Sequence, residues 1–149
     1  MGQLEASATV RWRGFGGTVD GASGRLHAST ATQAELGGPG TGTNPEELLA
    51  AAHANCYTST LTSLARSRNV DLELVETSAT TRLEWGPGAD HRLASSRLLV
   101  RIRSSSPEEV VHDLVRRAEH ECPVCQAIRS NVDMTVDFEF EPATKTAAG

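Results

Sequence analysis

The chain has 149 residues, 38% of them hydrophobic and 22% charged, and a formal net charge of −5. That length suits one domain with a core of its own, expected over residues 1–149. The acidic balance, with no block of basic residues, excludes nucleic acid as the expected partner. No segment approaches the ~20 apolar residues that cross a bilayer, so no membrane insertion is expected. MGQLEASATV lacks the charged start and apolar run of a signal peptide, and MGQLEA fails the myristoylation pattern at Ala6. A cytoplasmic location is the expectation. The three cysteines are too few for a disulfide scaffold and point in a reducing compartment to redox chemistry, metal binding or nothing. Basic side chains are almost all arginine, with Lys145 the only lysine.

In chain order, Leu4, Ala6, Ala8, Val10 and Trp12 alternate with polar residues and predict a half-buried strand. RGFGGTVDGASG, Arg13 to Gly24, reads as a hairpin connection of one or two tight turns; no GK[ST] follows it, so a phosphate loop is disfavoured. Arg25 to Ser29 suggests a short strand. GTNPEELLAAAHANCY, Gly42 to Tyr57, then opens a helix. Asn44 is the N-cap, Pro45 stands at the first position and Glu47 completes a capping box. Leu48, Leu49, Ala52 and Cys56 recur at helical spacing as the apolar stripe, and the helix ends near Ser67 to Asn69. Val75, Thr77, Ala79, Thr81, Leu83 and Trp85 share one strand face, GPGAD (Gly86 to Asp90) turns, and Leu98, Val100 and Ile102 return as a long hairpin. Arg97, Arg101 and Arg103 lie on the opposite, solvated face. SPEEVVHDLVRRAEHE repeats the helix signal with Ser106 as cap and Val110, Val111, Leu114, Val115 and Ala118 as buried stripe. QAIRS suggests a short helix, Val132 to Phe140 alternates as a last strand, and residues 142–149 are expected to fray. Strands grouped in pairs, not alternating singly with helices, predict an α+β chain with mainly antiparallel sheet.

Three chemistries compete for the cysteines. CPVC resembles a thioredoxin-like dithiol, but it follows a long helix and has only one strand after it. Two thiols with His120, His112 or Cys56 could bind zinc, but a second C-x-x-C or H-x₃₋₅-H pair is missing, so no metal or cofactor is expected. Cys56 and Cys122 could instead form a distant pair, one oxidised by peroxide to a sulfenic acid and the other condensing with it.

NPEELLAAAHANCY resembles the first-cysteine signature of the osmotically inducible protein C and organic hydroperoxide resistance family, and CPVCQAIRSNV resembles its second. The resemblance covers residues 6 to 141. It implies an OsmC-like α+β fold, with mainly antiparallel sheets packed around two long helices in an intertwined homodimer. It also implies a thiol peroxidase acting on organic hydroperoxides at the subunit interface, with Cys56 peroxidatic, Cys122 resolving and Glu46 orienting an arginine. The implied reductant is an external dithiol such as a lipoylated protein. Non-catalytic or ligand-binding relatives, and hydrolase-like chemistry of Cys56 with His53 one helical turn before it, are the alternatives.

The chain departs from the family pattern at two places. Cys125 stands where the family has a serine and is a candidate auxiliary thiol. No arginine occupies either expected place: Phe15 stands near one, and QAELGGPG covers the other. Arg13 and Arg25 are the nearest candidates to hold the Cys56 thiolate. Glu46 precedes Cys56 by ten residues. On a continuous helix that is roughly 15 Å of rise, so a Glu46 serving Cys56 is expected from the partner subunit.

Overall fold

The computed structural model describes residues 1–88 and 90–144. The chain folds as α+β in two compact units, Met1–Leu48 and Leu49–Gly149.

The first unit is a three-stranded antiparallel sheet of β1 (Ala8–Arg13), β2 (Gly16–Gly21) and β3 (His27–Ala31), in that order. The glycine-rich stretch read as a hairpin connection is therefore itself a strand. Gly14 and Phe15 alone make the turn, and Gly14 has φ +60°, as a two-residue hairpin with glycine first requires. A Cβ on Gly17 would stand 1.7 Å from the Arg11 carbonyl oxygen, so β1 approaches β2 this closely only over a bare backbone. The first strand begins at Ala8, not Leu4, and is exposed along its whole length, so it is not half-buried. Val10 and Trp12 of this strand, and Phe15 of the turn after it, are exposed apolar side chains.

Helix α1 (Pro45–Ser67) runs from the end of the first unit into the second without a break. Its start follows the sequence: the Glu47 N–H donates to Asn44 Oδ1 at 2.8 Å. The Glu47 carboxylate accepts from the Thr43 hydroxyl instead of closing the box on Asn44. Asn69, just past its end, takes φ +54°. The buried stripe of α1 is His53, Tyr57, Leu61 and Ala65. This corrects the predicted phase, in which Leu48, Leu49, Ala52 and Cys56 faced the core. A period of 3.6 fits either row, and contact with the sheet selects the one bearing the large Tyr57 and Leu61.

The second unit carries the other sheet, β4 (Leu74–Glu84), β5 (Arg92–Ser104) and β6 (Asp133–Pro142), with β5 central. β4 and β5 form the predicted antiparallel hairpin; Ala89 of its turn lies outside the described residues. β6 is parallel to β5, because the chain crosses over through α2 (Glu108–Glu121) and α3 (Pro123–Ile128) before returning. One face of the sheet, with Leu98, Val100 and Ile102, packs in a single core with Tyr57, Leu61 and Ala65 of α1 and with Val111, Leu114, Val115 and Ala118 of α2. On the other face Arg101 bonds Glu76 and Glu139, and Arg103 bonds Glu141, as a solvated ladder.

Smaller corrections concern ends. Pro107, not Ser106, occupies the N-cap position of α2, with no side-chain capping bond; the Ser106 hydroxyl accepts the Asp71 N–H instead. Val110 is exposed. Pro142 belongs to β6, and the Ala143 N–H donates to the Ser104 carbonyl at 2.8 Å, so the fraying expected from 142 does not begin there. Residues 145–149, with Lys145, lie outside the described residues.

Candidate active site

Cys56 sits three turns into α1, on the flank of the buried stripe, and is half-buried. Burial pushes its thiol up from the ordinary range, since a thiolate loses more than a thiol on leaving water. The nearby Val124 N–H opposes this. The neighbouring Cys122 side chain reinforces it, and the Thr60 hydroxyl pulls weakly down. That hydroxyl also lies 2.9 Å from the Cys56 carbonyl oxygen, and its one hydrogen serves one acceptor at a time. No arginine is among these leading influences on the sulfur.

Cys122 is the N-cap of α3, placed by the kink that Pro123 imposes between α2 and α3. It is fully buried, and its Sγ accepts the Cys125 N–H at 3.3 Å. The fold therefore packs Cys56, on α1, against the core cluster that holds Cys122 at the start of α3.

Cys125 joins them. It is fully buried, and both burial and the neighbouring Cys122 thiol push it far up, with Arg129 opposing. Its Sγ lies 3.3 Å from His53 Nε2, and His53 Nδ1 lies 2.7 Å from Ser96 Oγ on β5. His53, considered as a neighbour of Cys56, thus points its ring nitrogens at Cys125 and Ser96. Burial lowers its pKa, so the ring is held neutral. The His53–Ser96 pairing was not foreseen. Its signal in the sequence is Ser96, a hydroxyl on the strand face that also carries Leu98, Val100 and Ile102.

The remaining candidates lie in the first unit. Glu46 is in the first turn of α1, and its carboxylate accepts a hydrogen bond from Gln33 Nε2. Arg13 is the exposed last residue of β1, and Arg25 is exposed in the turn before β3. Among the described residues, no group of three or more His, Cys, Asp or Glu side chains is arranged to hold a metal ion. No described helix is long and apolar enough to cross a membrane.

Known proteins share this arrangement of chain. The chain is similar to YmaD of Bacillus subtilis strain 168, at 30% identity over 125 residues, covering 81% of this chain and 82% of that protein. It is also similar to the organic hydroperoxide resistance protein of Xanthomonas axonopodis pv. citri, at 30% identity over 115 residues, 74% of this chain and 78% of that one. A crystal structure of an organic hydroperoxide resistance protein OsmC from Legionella pneumophila superposes with a TM-score of 0.77 at 28% identity, covering 93% of this chain and 99% of that chain. The family profile described as OsmC-like protein matches residues 38–137, a stretch that begins before α1 and ends within β6 and so holds all three cysteines. On that match and that fold, the chain belongs to the OsmC-like family.

Proposed function

We propose that the protein is a thiol-dependent peroxidase that reduces organic hydroperoxides to alcohols in defence against oxidative stress. The observation that carries this reading is that the fold packs Cys56 of α1 against the buried cluster that holds Cys122. Relatives named for organic hydroperoxide resistance support the substrate class.

The Cys56 thiolate attacks the peroxide oxygen distal to the organic group. The O–O bond breaks, an alcohol leaves after taking a proton, and Cys56 becomes a sulfenic acid. The Cys122 thiol condenses with it, forming a disulfide and releasing water. An external dithiol, such as a lipoyl-bearing protein, then reduces that disulfide through a mixed disulfide.

The first step needs a thiolate, and burial beside Cys122 disfavours one. Cys56 lies too deep in α1 for the helix dipole, which fades beyond the first turn, to help. A cation must therefore reach the sulfur, with Arg13 and Arg25 the candidates. In this reading residues 1–149 act as one domain of a homodimer, and Glu46 of the partner subunit orients that cation. The uncovered Val10, Trp12 and Phe15 support such an assembly, because apolar groups of this size favour burial against a second surface.

The test is hydroperoxide consumption by reduced protein supplied with dihydrolipoamide. Wild type is expected to turn over cumene hydroperoxide. Cys56→Ser is expected to consume none, and Cys122→Ser to accumulate a sulfenic acid that dimedone traps. Undiminished consumption by Cys56→Ser overturns the proposal.

A further inference from the structure

Cys125 and His53 take no part in that two-thiol cycle, yet both are fully buried and in contact with each other. Cys125 is the third residue of α3 and Cys122 is its cap. Two residues so placed in one helical turn have Cα atoms about 5 Å apart. That lies inside the range of about 4.4–6.8 Å that a disulfide spans. The 3.3 Å contact of the Cys125 N–H with Cys122 Sγ brings the two residues together already.

We propose that Cys125 takes the disulfide over from Cys56. This rests on the peroxidase reading for the first oxidation. The Cys125 sulfur attacks Cys122 within the Cys56–Cys122 disulfide. A Cys122–Cys125 bond forms, the Cys56–Cys122 bond breaks, and Cys56 leaves as a thiolate. One S–S bond replaces another, so the exchange consumes no oxidant or reductant. The Cys125 proton passes to His53 Nε2 and from there to solvent or to the departing Cys56. The oxidising equivalent thus moves inward, and Cys56 becomes free to meet a second hydroperoxide.

Three features of the site support the exchange. His53 is held neutral by burial, so with its hydrogen on Nδ1 facing Ser96 it presents a basic lone pair to Cys125. The Cys122 thiol is one of the groups that keep Cys125 protonated. That restraint is withdrawn once the Cys122 sulfur is in a disulfide, so Cys125 ionises more readily in the state that offers it a disulfide to attack. Finally, Cys56 is half-buried whereas Cys122 and Cys125 are wholly buried, so the exchanged disulfide is the more protected one.

The experiment titrates fully reduced protein with cumene hydroperoxide in the absence of reductant, then alkylates free thiols and maps disulfides by mass spectrometry. Wild type is expected to consume two equivalents per subunit and to yield a Cys122–Cys125 disulfide with a dimedone-reactive Cys56. Cys125→Ser is expected to stop at one equivalent with a Cys56–Cys122 disulfide. A wild type that stops at one equivalent, with Cys56–Cys122 linked and Cys125 free, overturns the exchange. If wild type consumes no hydroperoxide, the peroxidase reading fails, and diamide-oxidised protein decides the exchange alone. A Cys122–Cys125 bond that replaces an earlier Cys56–Cys122 bond over time then upholds it, and a Cys56–Cys122 bond that persists, or a Cys122–Cys125 bond that forms without it, overturns it.

Discussion

His53 shows how one buried side chain ties the site to the stability of the fold. Burial depresses its pKa, so the folded chain resists protonating it while the unfolded chain does not. Stability from this residue is complete above the ordinary imidazole value of about 6.5 and is lost as the pH falls from there through the depressed folded value. The urea midpoint is therefore expected to fall between about pH 7.5 and about pH 5, and to fall less in His53→Gln, whatever that variant's stability at neutral pH. An equal fall in both proteins would show that His53 does not titrate with unfolding. Cys56 and Cys122 were legible as candidates from their flanking motifs. The pairing of His53 with Cys125 was not, because α3 carries Cys125 to it across the core and no local spacing reports that path.

At the scale of elements, capping and core contribute differently to α1. Asn44 accepts one N–H at an exposed helix start, so Asn44→Ala is expected to cost about 1 kcal/mol. Leu61 is fully buried between the sheet and α2, so Leu61→Ala is expected to cost about 2–5 kcal/mol. Urea denaturation of both variants checks the order, and a larger loss at Asn44 would contradict it. Helix starts and the alternation of β4, β5 and β6 were readable because side-chain chemistry and period two are local properties. Strand β2 was hidden because Gly16 and Gly17, read as turn residues, serve close backbone approach instead. The phase of α1 was hidden because two rows of its surface are apolar enough to be buried.

For the whole molecule, the unbroken run of α1 from Pro45 to Ser67 sets a distance problem. Ten residues of helix separate Glu46 from Cys56 by roughly 15 Å of axial rise, too far for the carboxylate to orient a group touching that sulfur. The proposed dimer resolves this with a site built from both subunits. In a two-fold assembly, a mixed dimer of Glu46→Ala and Cys56→Ser subunits carries both defects in one site and neither in the other. Mixing the two variants, each expected to be inactive alone, is therefore expected to restore activity to about half the sites of such dimers. Verified subunit exchange without recovered activity would refute the shared site.

The sequence by itself determined the α+β class, the places of both long helices, the solvated arginine face and the two thiols that define the family resemblance. These follow from capping, periodicity and motif spacing, which act over a few residues. Only the tertiary structure decided that β6 runs parallel to β5, which row of α1 is buried, and that Cys125 meets His53. Each of those depends on how the α2–α3 crossover returns the chain to the sheet, a long-range packing choice that no window of neighbouring residues encodes.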